Sequence, residues 1–239
     1  MTAGAEKVAA PNTAVRLSRL LQFGDSMFPI GGFAFSGGLE SAIQKGVVTD
    51  VGTLQAFART AVEQAALGDG IALIWAHRAA MAGNLGELER IDQQVYGRKL
   101  SAETRSMTVR VGKKFAEMGV GITGSPLLRE WLTRIQQGAT PGCYPVALAV
   151  NFAAQDLPDR DAFIAHQYGV GAMVLSAALR LMKVSHVETQ RILYELNTDA
   201  DAAYELAASS NLADMAGFAP LVEILAAVHV KAHLRLFMN

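Results

Sequence analysis

Apolar residues recur at helical spacing along almost the whole chain, and this periodicity limits the fold more than any other feature. Leu54, Phe57, Ala58, Ala61, Val62 and Ala65 follow the spacing i, i+3, i+4, i+7, i+8, i+11 and form one apolar stripe. Leu17, Leu20 and Leu21 repeat the pattern, with Arg16 and Arg19 turned away from the stripe. No convincing run alternates apolar and polar residues, so little or no sheet is expected. The reading is an all-α, single-domain bundle of ten to twelve helices, placed at 13–23, 36–45, 51–67, 70–82, 85–96, 101–118, 126–137, 145–155, 160–182, 186–196, 199–209 and 219–237. Ser125-Pro126 reads as a cap followed by proline at the first helical position. Ser185 and Glu188 have capping-box spacing. Gly138, Pro141, Gly142 and Pro145 mark a stop and a loop. Residues 1–12 are small and polar and are expected to be disordered, leaving 13–239 as the one domain.

Composition then removes several function classes. Lys and Arg total 21 against 22 Asp and Glu, so the basic excess typical of nucleic-acid binders is missing. Cys143 is the only cysteine, which excludes an intrachain disulfide and a four-cysteine zinc site. Residues Met1 to Pro11 carry Glu6 and lack a continuous apolar stretch, unlike a secretory signal. The longest apolar stretches are broken by Arg180 and Lys183, or by Glu223, so no membrane span is expected. These features suit a cytoplasmic protein. Apolar content is nonetheless 51% with only 18% charged residues, which implies either a large core or apolar surface covered by partners.

Several groups of residues invite chemistry. Gly119, Gly121 and Gly124 match GxGxxG, but the run follows helical sequence rather than a strand, so a glycine-rich helix terminus is the better reading than a dinucleotide cradle. No Walker A motif is present, so no nucleotide binding is expected of the chain alone. His229 and His233 share a helix face at i, i+4, which is half of a metal site; a solvated or hydrogen-bonded pair is favoured over metal. His77, His166 and His186 read as structural. Arg98, Lys99, Arg105, Arg110, Lys113 and Lys114 form a basic stretch, read first as a solvated face and second as a docking face for an acidic partner. It lacks the interleaved aromatics that would stack on bases. Ser36 and Ser41 have no nucleophile-elbow context. Arg180 interrupts an apolar stretch and must pair internally, reach solvent or meet an acidic partner.

The segment 24–38, GDSMFPIGGFAFSGG, stands out. Its glycines at 31, 32, 37 and 38 permit unusual backbone angles. Phe28, Pro29, Ile30, Phe33 and Phe35 lie among them. On residue types alone it is equally well a loop tucked into its own core or an aromatic anchor for another protein, with Gly31-Gly32 reversing the chain so that Phe28 and Phe33 are presented.

Phe28-Pro29-Ile30-Gly31-Gly32-Phe33-Ala34-Phe35-Ser36-Gly37-Gly38-Leu39-Glu40 resembles the N-terminal signature of the urease accessory protein F family. Further matches follow in order: Glu103-x-Arg105 with Gly112-Lys113, Tyr144-Pro145-Val146-Ala147, Ser176-Ala177-Ala178-Leu179-Arg180-Leu181 with Gln190, and His229 with Arg235-Leu236-Phe237. Phe35 stands where many members have Tyr, and Lys183-Val184-Ser185-His186 replaces the family's usual P-L-G-Q. The resemblance implies an all-helical protein without catalysis of its own. It would dimerise, bind accessory protein D or H, recruit the accessory GTPase G, and help load nickel into apo-urease. Nickel would be handled by the complex, with no resident cofactor. The partner-binding residues it implies are Phe28, Pro29, Gly31, Gly32, Phe33, Phe35, Gly38, Glu40, Arg180, His229, Arg235, Leu236 and Phe237. The alternatives are a metal carrier using His229 and His233, or a helical enzyme with an unrecognised site.

Overall fold

The computed structural model describes residues 12–216 together with Leu225, Leu236 and Phe237; at Phe33 only the backbone is described. The protein is all-α, and no strand occurs among the described residues. The helices are α1 (Thr13–Gly24), α2 (Leu39–Gln44), α3 (Val51–Ala65), α4 (Ile71–Met81), α5 (Leu85–Arg98), α6 (Ala102–Thr123), α7 (Pro126–Gln136), α8 (Tyr144–Ala153), α9 (Asp159–Leu181), α10 (His186–Asn197) and α11 (Ala200–Ser209).

Local sequence explains most of the boundaries. Asp50 and Thr53 cap α3 reciprocally, and Ser185 and Glu188 do the same for α10. Pro126 opens α7 as expected, but Ser125 makes no side-chain cap bond; its amide instead donates to Thr123 Oγ1 at 3.2 Å. Helix α6 runs five residues beyond its expected end at 118 and stops only at Gly124, whose φ of 64° ends the helix in the left-handed region. The three glycines of GxGxxG therefore have separate roles. Gly119 lets Asn151 approach closely, Gly121 faces open space, and Gly124 is the terminator.

The break expected near residue 68 is not a break. Residues Ala66–Gly70 form a π-helical turn that joins α3 to α4. Gly70 is required there, because a Cβ would stand 2.6 Å from Phe163 Cε2.

Helix α9 is central. Its first half contributes Ala162, Phe163 and Ala165 to one apolar cluster, built mainly with α4, α6 and α8. Its second half contributes Val174, Leu175, Ala177 and Ala178 to another, shared with α2, α3 and α10. Helix α9 is the one described helix long and apolar enough to cross a membrane. Here it is wrapped by its neighbours, with Asp161 buried against α1.

Helix α1 departs from expectation. Arg16 is half-buried and donates to Asp161 of α9 at 2.6 and 2.7 Å. This bidentate pair rotates α1 so that Phe23 and Leu20 face the core while Leu17 and Leu21 are 51% and 72% exposed. The expected disorder of 1–12 falls, apart from Asn12, outside the described residues; Asn12 caps α1 by accepting from the Val15 amide. The expected last helix, 219–237, also lies largely outside them. Leu225 is helical, but Leu236 and Phe237 sit in a bend, so the helix does not reach 237.

Candidate functional site

The segment 25–38 is ordered by its own backbone and by what lies beneath it. Asp25 Oδ1 accepts from the Met27 amide at 2.8 Å, which closes a local turn. This turn points Phe28 inward. Its ring lies 5.4 Å from Phe23 and 5.4 Å from Phe115, and Phe115 in turn meets Tyr144 at 5.6 Å. Phe28 is thus not presented to a partner but completes an aromatic column of the core, and at this residue the buried-loop reading is the correct one. Met27, at 80% exposure, is the side chain the turn presents instead. Pro29 is also exposed.

The chain reverses at Gly31, with φ 80°, and not at Gly32, whose φ is not positive. Both positions have open space around a hypothetical Cβ, so backbone angle alone separates them. Gly31→Val is expected to destabilise the protein by at least about 1 kcal/mol. Gly32→Ala is expected to cost a few tenths or nothing. Thermal melting of the two variants checks this, and equal losses would contradict the assignment. Phe33 lies in the short 3-10 turn Gly32–Ala34. Phe35 is 3% exposed, with the Arg110 guanidinium 5.2 Å from its ring centre, a contact that needs no phenolic hydroxyl. Gly38 takes φ 86° at the N-cap of α2.

Helix α2 then places Glu40, which meets residues 236 and 237. Glu40 is 3% exposed. Its Oε1 accepts from the Leu236 amide at 2.9 Å and its Oε2 from the Phe237 amide at 3.1 Å. Phe237 is buried in the cluster of α2, α3, α9 and α10, and the Arg180 guanidinium lies 4.1 Å from its ring centre. Arg180 is exposed, so the charge that interrupts α9 reaches solvent while stacking on an aromatic face. Three distant stretches of sequence, at Glu40, at Arg180 and at Leu236-Phe237, are thereby brought together. His229, His233 and Arg235 lie outside the described residues.

The basic stretch is only partly a solvated face. Lys99 holds Asp69 of the π turn at 2.7 Å, Arg98 donates to the Met215 carbonyl at 3.3 Å, and Arg105 donates to the Lys99 carbonyl. Lys113 and Lys114 are exposed on α6, with Lys114 3.6 Å from Glu117.

Potentially reactive side chains near the core are held in inert states. Burial pushes the Cys143 thiol up and the Tyr144 phenol to about 12. Burial pushes the His166 imidazole down to about 4, and lowers His77, whose Nε2 is 2.7 Å from the Leu157 carbonyl. An unfolded histidine keeps its proton up to about pH 6.5. Between these limits the folded state binds fewer protons, so stability is full above about 6.5 and falls as pH drops towards 4. The His166 shift alone corresponds to roughly 3 kcal/mol. Urea midpoints measured across that range should fall on acidification, and the fall should be shallower in His166→Phe.

One organising residue carried no expectation. Asp92 is fully buried and accepts from Thr140 Oγ1 at 2.5 Å and from the amides of Gly142 and Cys143 at 2.6 and 2.8 Å. Burial raises its pKa while these bonds oppose the rise. It fixes the turn into α8. The available signal was an acid standing on the apolar stripe Leu88, Ile91, Val95 of α5.

Comparison with known proteins decides the family. The UreF family profile matches residues 48–197. The chain belongs to the UreF family. It is 56% identical over 223 residues to urease accessory protein UreF 2 of Brucella canis, covering 93% of this chain and 92% of that protein. It is 55% identical to urease accessory protein UreF 1 of Brucella melitensis, with the same coverage. It is 49% identical to urease accessory protein UreF of Yersinia enterocolitica, covering 93% of this chain and 98% of that protein.

Proposed function

We propose that this UreF-family chain is a cytoplasmic, non-catalytic scaffold in urease maturation. In this reading it joins accessory protein D/H to the accessory GTPase G, regulates that GTPase, and assists GTP-dependent insertion of nickel into apo-urease, acting as a homodimer. Nickel is cargo of the assembly and not a resident cofactor. The observation that carries the reading is the near full-length match to relatives named urease accessory protein UreF. Two features support it. Leu17, Leu21 and Met27 leave large apolar side chains in solvent on the N-terminal helix and loop. Buried Glu40 holds the amides of Leu236 and Phe237, and Arg180 stacks on Phe237, so four of the residues the family resemblance marks lie in one contact cluster, of which Arg180 and Leu236 are exposed.

The test is co-elution in size-exclusion chromatography with D/H, followed by addition of G with GTP and nickel. Deleting residues 228–239 removes both amide donors that Glu40 holds. That truncation should stay helical by circular dichroism and lose D/H capture. Phe33→Ala should fold and assemble poorly. A folded truncation that captures D/H normally would remove the C-terminal segment from the partner surface. Failure of the full-length chain to co-elute would sink the scaffold reading itself.

A further inference from the structure

The π turn Ala66–Gly70 is fixed from outside at Leu67, Asp69 and Gly70. π geometry is rare and occurs mostly as a single turn inserted in an α-helix, frequently at functional sites. Gly70 lies under the Phe163 ring, on the core side. The Leu67 carbonyl accepts from the Ala216 amide at 3.1 Å, a bond from far along the chain. Asp69 receives Lys99 Nζ on both carboxylate oxygens at 2.7 Å. That ion pair is sheltered, with side-chain exposures of 18% and 19%, so solvent screens it less than a surface pair.

The Leu67 and Asp69 anchors are joined to each other. Arg98, next to Lys99, donates from Nε to the carbonyl of Met215, which is next to Ala216, at 3.3 Å. Contacts and covalent neighbours therefore alternate around a closed ring: Leu67 to Ala216, Met215 to Arg98, Lys99 to Asp69, and back along the turn to Leu67. Each contact is prepositioned by the other two. Losing one frees the ends of the others, so the three are coupled and not independent. Met215 is buried in the first apolar cluster, whereas Ala216 is exposed. Beyond this link the chain reaches the Glu40 clamp at Leu236 and Phe237.

We propose that the ring is a latch: the link Met215-Ala216 and the π turn open and close as one unit, so that drawing the link away loosens the junction of α3 and α4. The residues that follow the link are thereby tied to that junction at one end and to Glu40 at the other. The latch is a property of the chain alone and does not rest on the scaffold reading.

The test is residue-resolved amide hydrogen exchange on the full chain. Two amides report on the latch: Ala216, and Ile71, which donates to the Gly68 carbonyl inside the turn. Ala147, bonded to the Cys143 carbonyl in α8, is the reference. Ala216→Pro deletes the donor to Leu67. Met215 already has φ −51° and ψ 113°, backbone angles that suit a residue before proline. This variant should speed exchange at Ile71 by at least about tenfold, because local opening sets the exchange rate. Lys99→Met breaks the ring on its other side while keeping an aliphatic stem. It should speed exchange at Ala216 by a similar factor, the reciprocity that linkage requires. Ala147 should exchange at the wild-type rate in both. If Ala216→Pro does not fold, Arg98→Met, which breaks the bond to Met215, should accelerate Ile71 in its place. Unchanged exchange at Ile71 in the link variant that folds, or at Ala216 in Lys99→Met, would overturn the latch. So would equal acceleration at Ala147, which marks general destabilisation and not a local unit.

Discussion

Gly112→Val is expected to abolish stable folding. Gly112 sits in the middle of α6 where that helix crosses the entry to α8 with backbone against backbone. A Cβ at this position would fall within the van der Waals surface of the Gly142 carbonyl oxygen, and 2.6 Å from both the Cys143 carbonyl carbon and the Tyr144 amide nitrogen. Backbone atoms cannot swing aside as a side-chain end can, so the helices must separate. Separation would loosen the aromatic column through Phe115 and Tyr144 and the bond from the Tyr144 amide to Thr108 Oγ1 at 3.1 Å. The cost is expected to exceed about 4 kcal/mol, a large share of the stability of a domain this size. Gly121→Ala on the same helix is the control. Nothing lies within 4 Å of its hypothetical Cβ, so alanine there should gain about 0.5–1 kcal/mol from helix propensity. Opposite signs in urea denaturation support the packing account, and a tolerated Gly112→Val contradicts it.

Asp92→Ala is expected to be nearly as damaging for a different reason. It fills no space and adds no strain. It leaves the Thr140 hydroxyl and the Gly142 and Cys143 amides without their acceptor in a site closed to water. Stranding three buried donors should cost on the order of 3–5 kcal/mol. Asp92→Asn keeps one carbonyl oxygen but brings two donors of its own towards the same amides, so it should fall between the two. Urea midpoints order the three proteins, and hydrogen exchange at Gly142 and Cys143 should accelerate most in Asp92→Ala. An unchanged midpoint in Asp92→Ala would remove the carboxylate from its structural role.

What the sequence made legible follows from how local each signal is. The stripe on α3 and the reciprocal cap of Ser185 with Glu188 involve residues close in sequence, and these helices lie where those signals placed them. Errors came where a distant residue decides the outcome. The rotation of α1 depends on Asp161, 145 residues from Arg16. The π turn at Ala66–Gly70 depends on Phe163 pressing on Gly70, so two glycines that read as a break are carried through as helix. Phe28 turned inward because Phe23 and Phe115 offered a place to stack, and neither is visible from the loop itself. Gly31 and Gly32 are indistinguishable by type, and only the backbone shows which one needs a positive φ. Glu40 and Phe237 were marked by resemblance alone; their direct contact spans 197 positions and no spacing rule could supply it.

The most direct measurement of the central claim is reconstituted activation of apo-urease. Apo-urease, accessory protein D/H, GTPase G, nickel and GTP are combined with and without this chain, and urease activity is followed over time. Activation that requires this chain, while the chain alone neither binds nor hydrolyses GTP, is the predicted result. Equal activation in its absence, or GTP hydrolysis by the chain alone, would contradict the account.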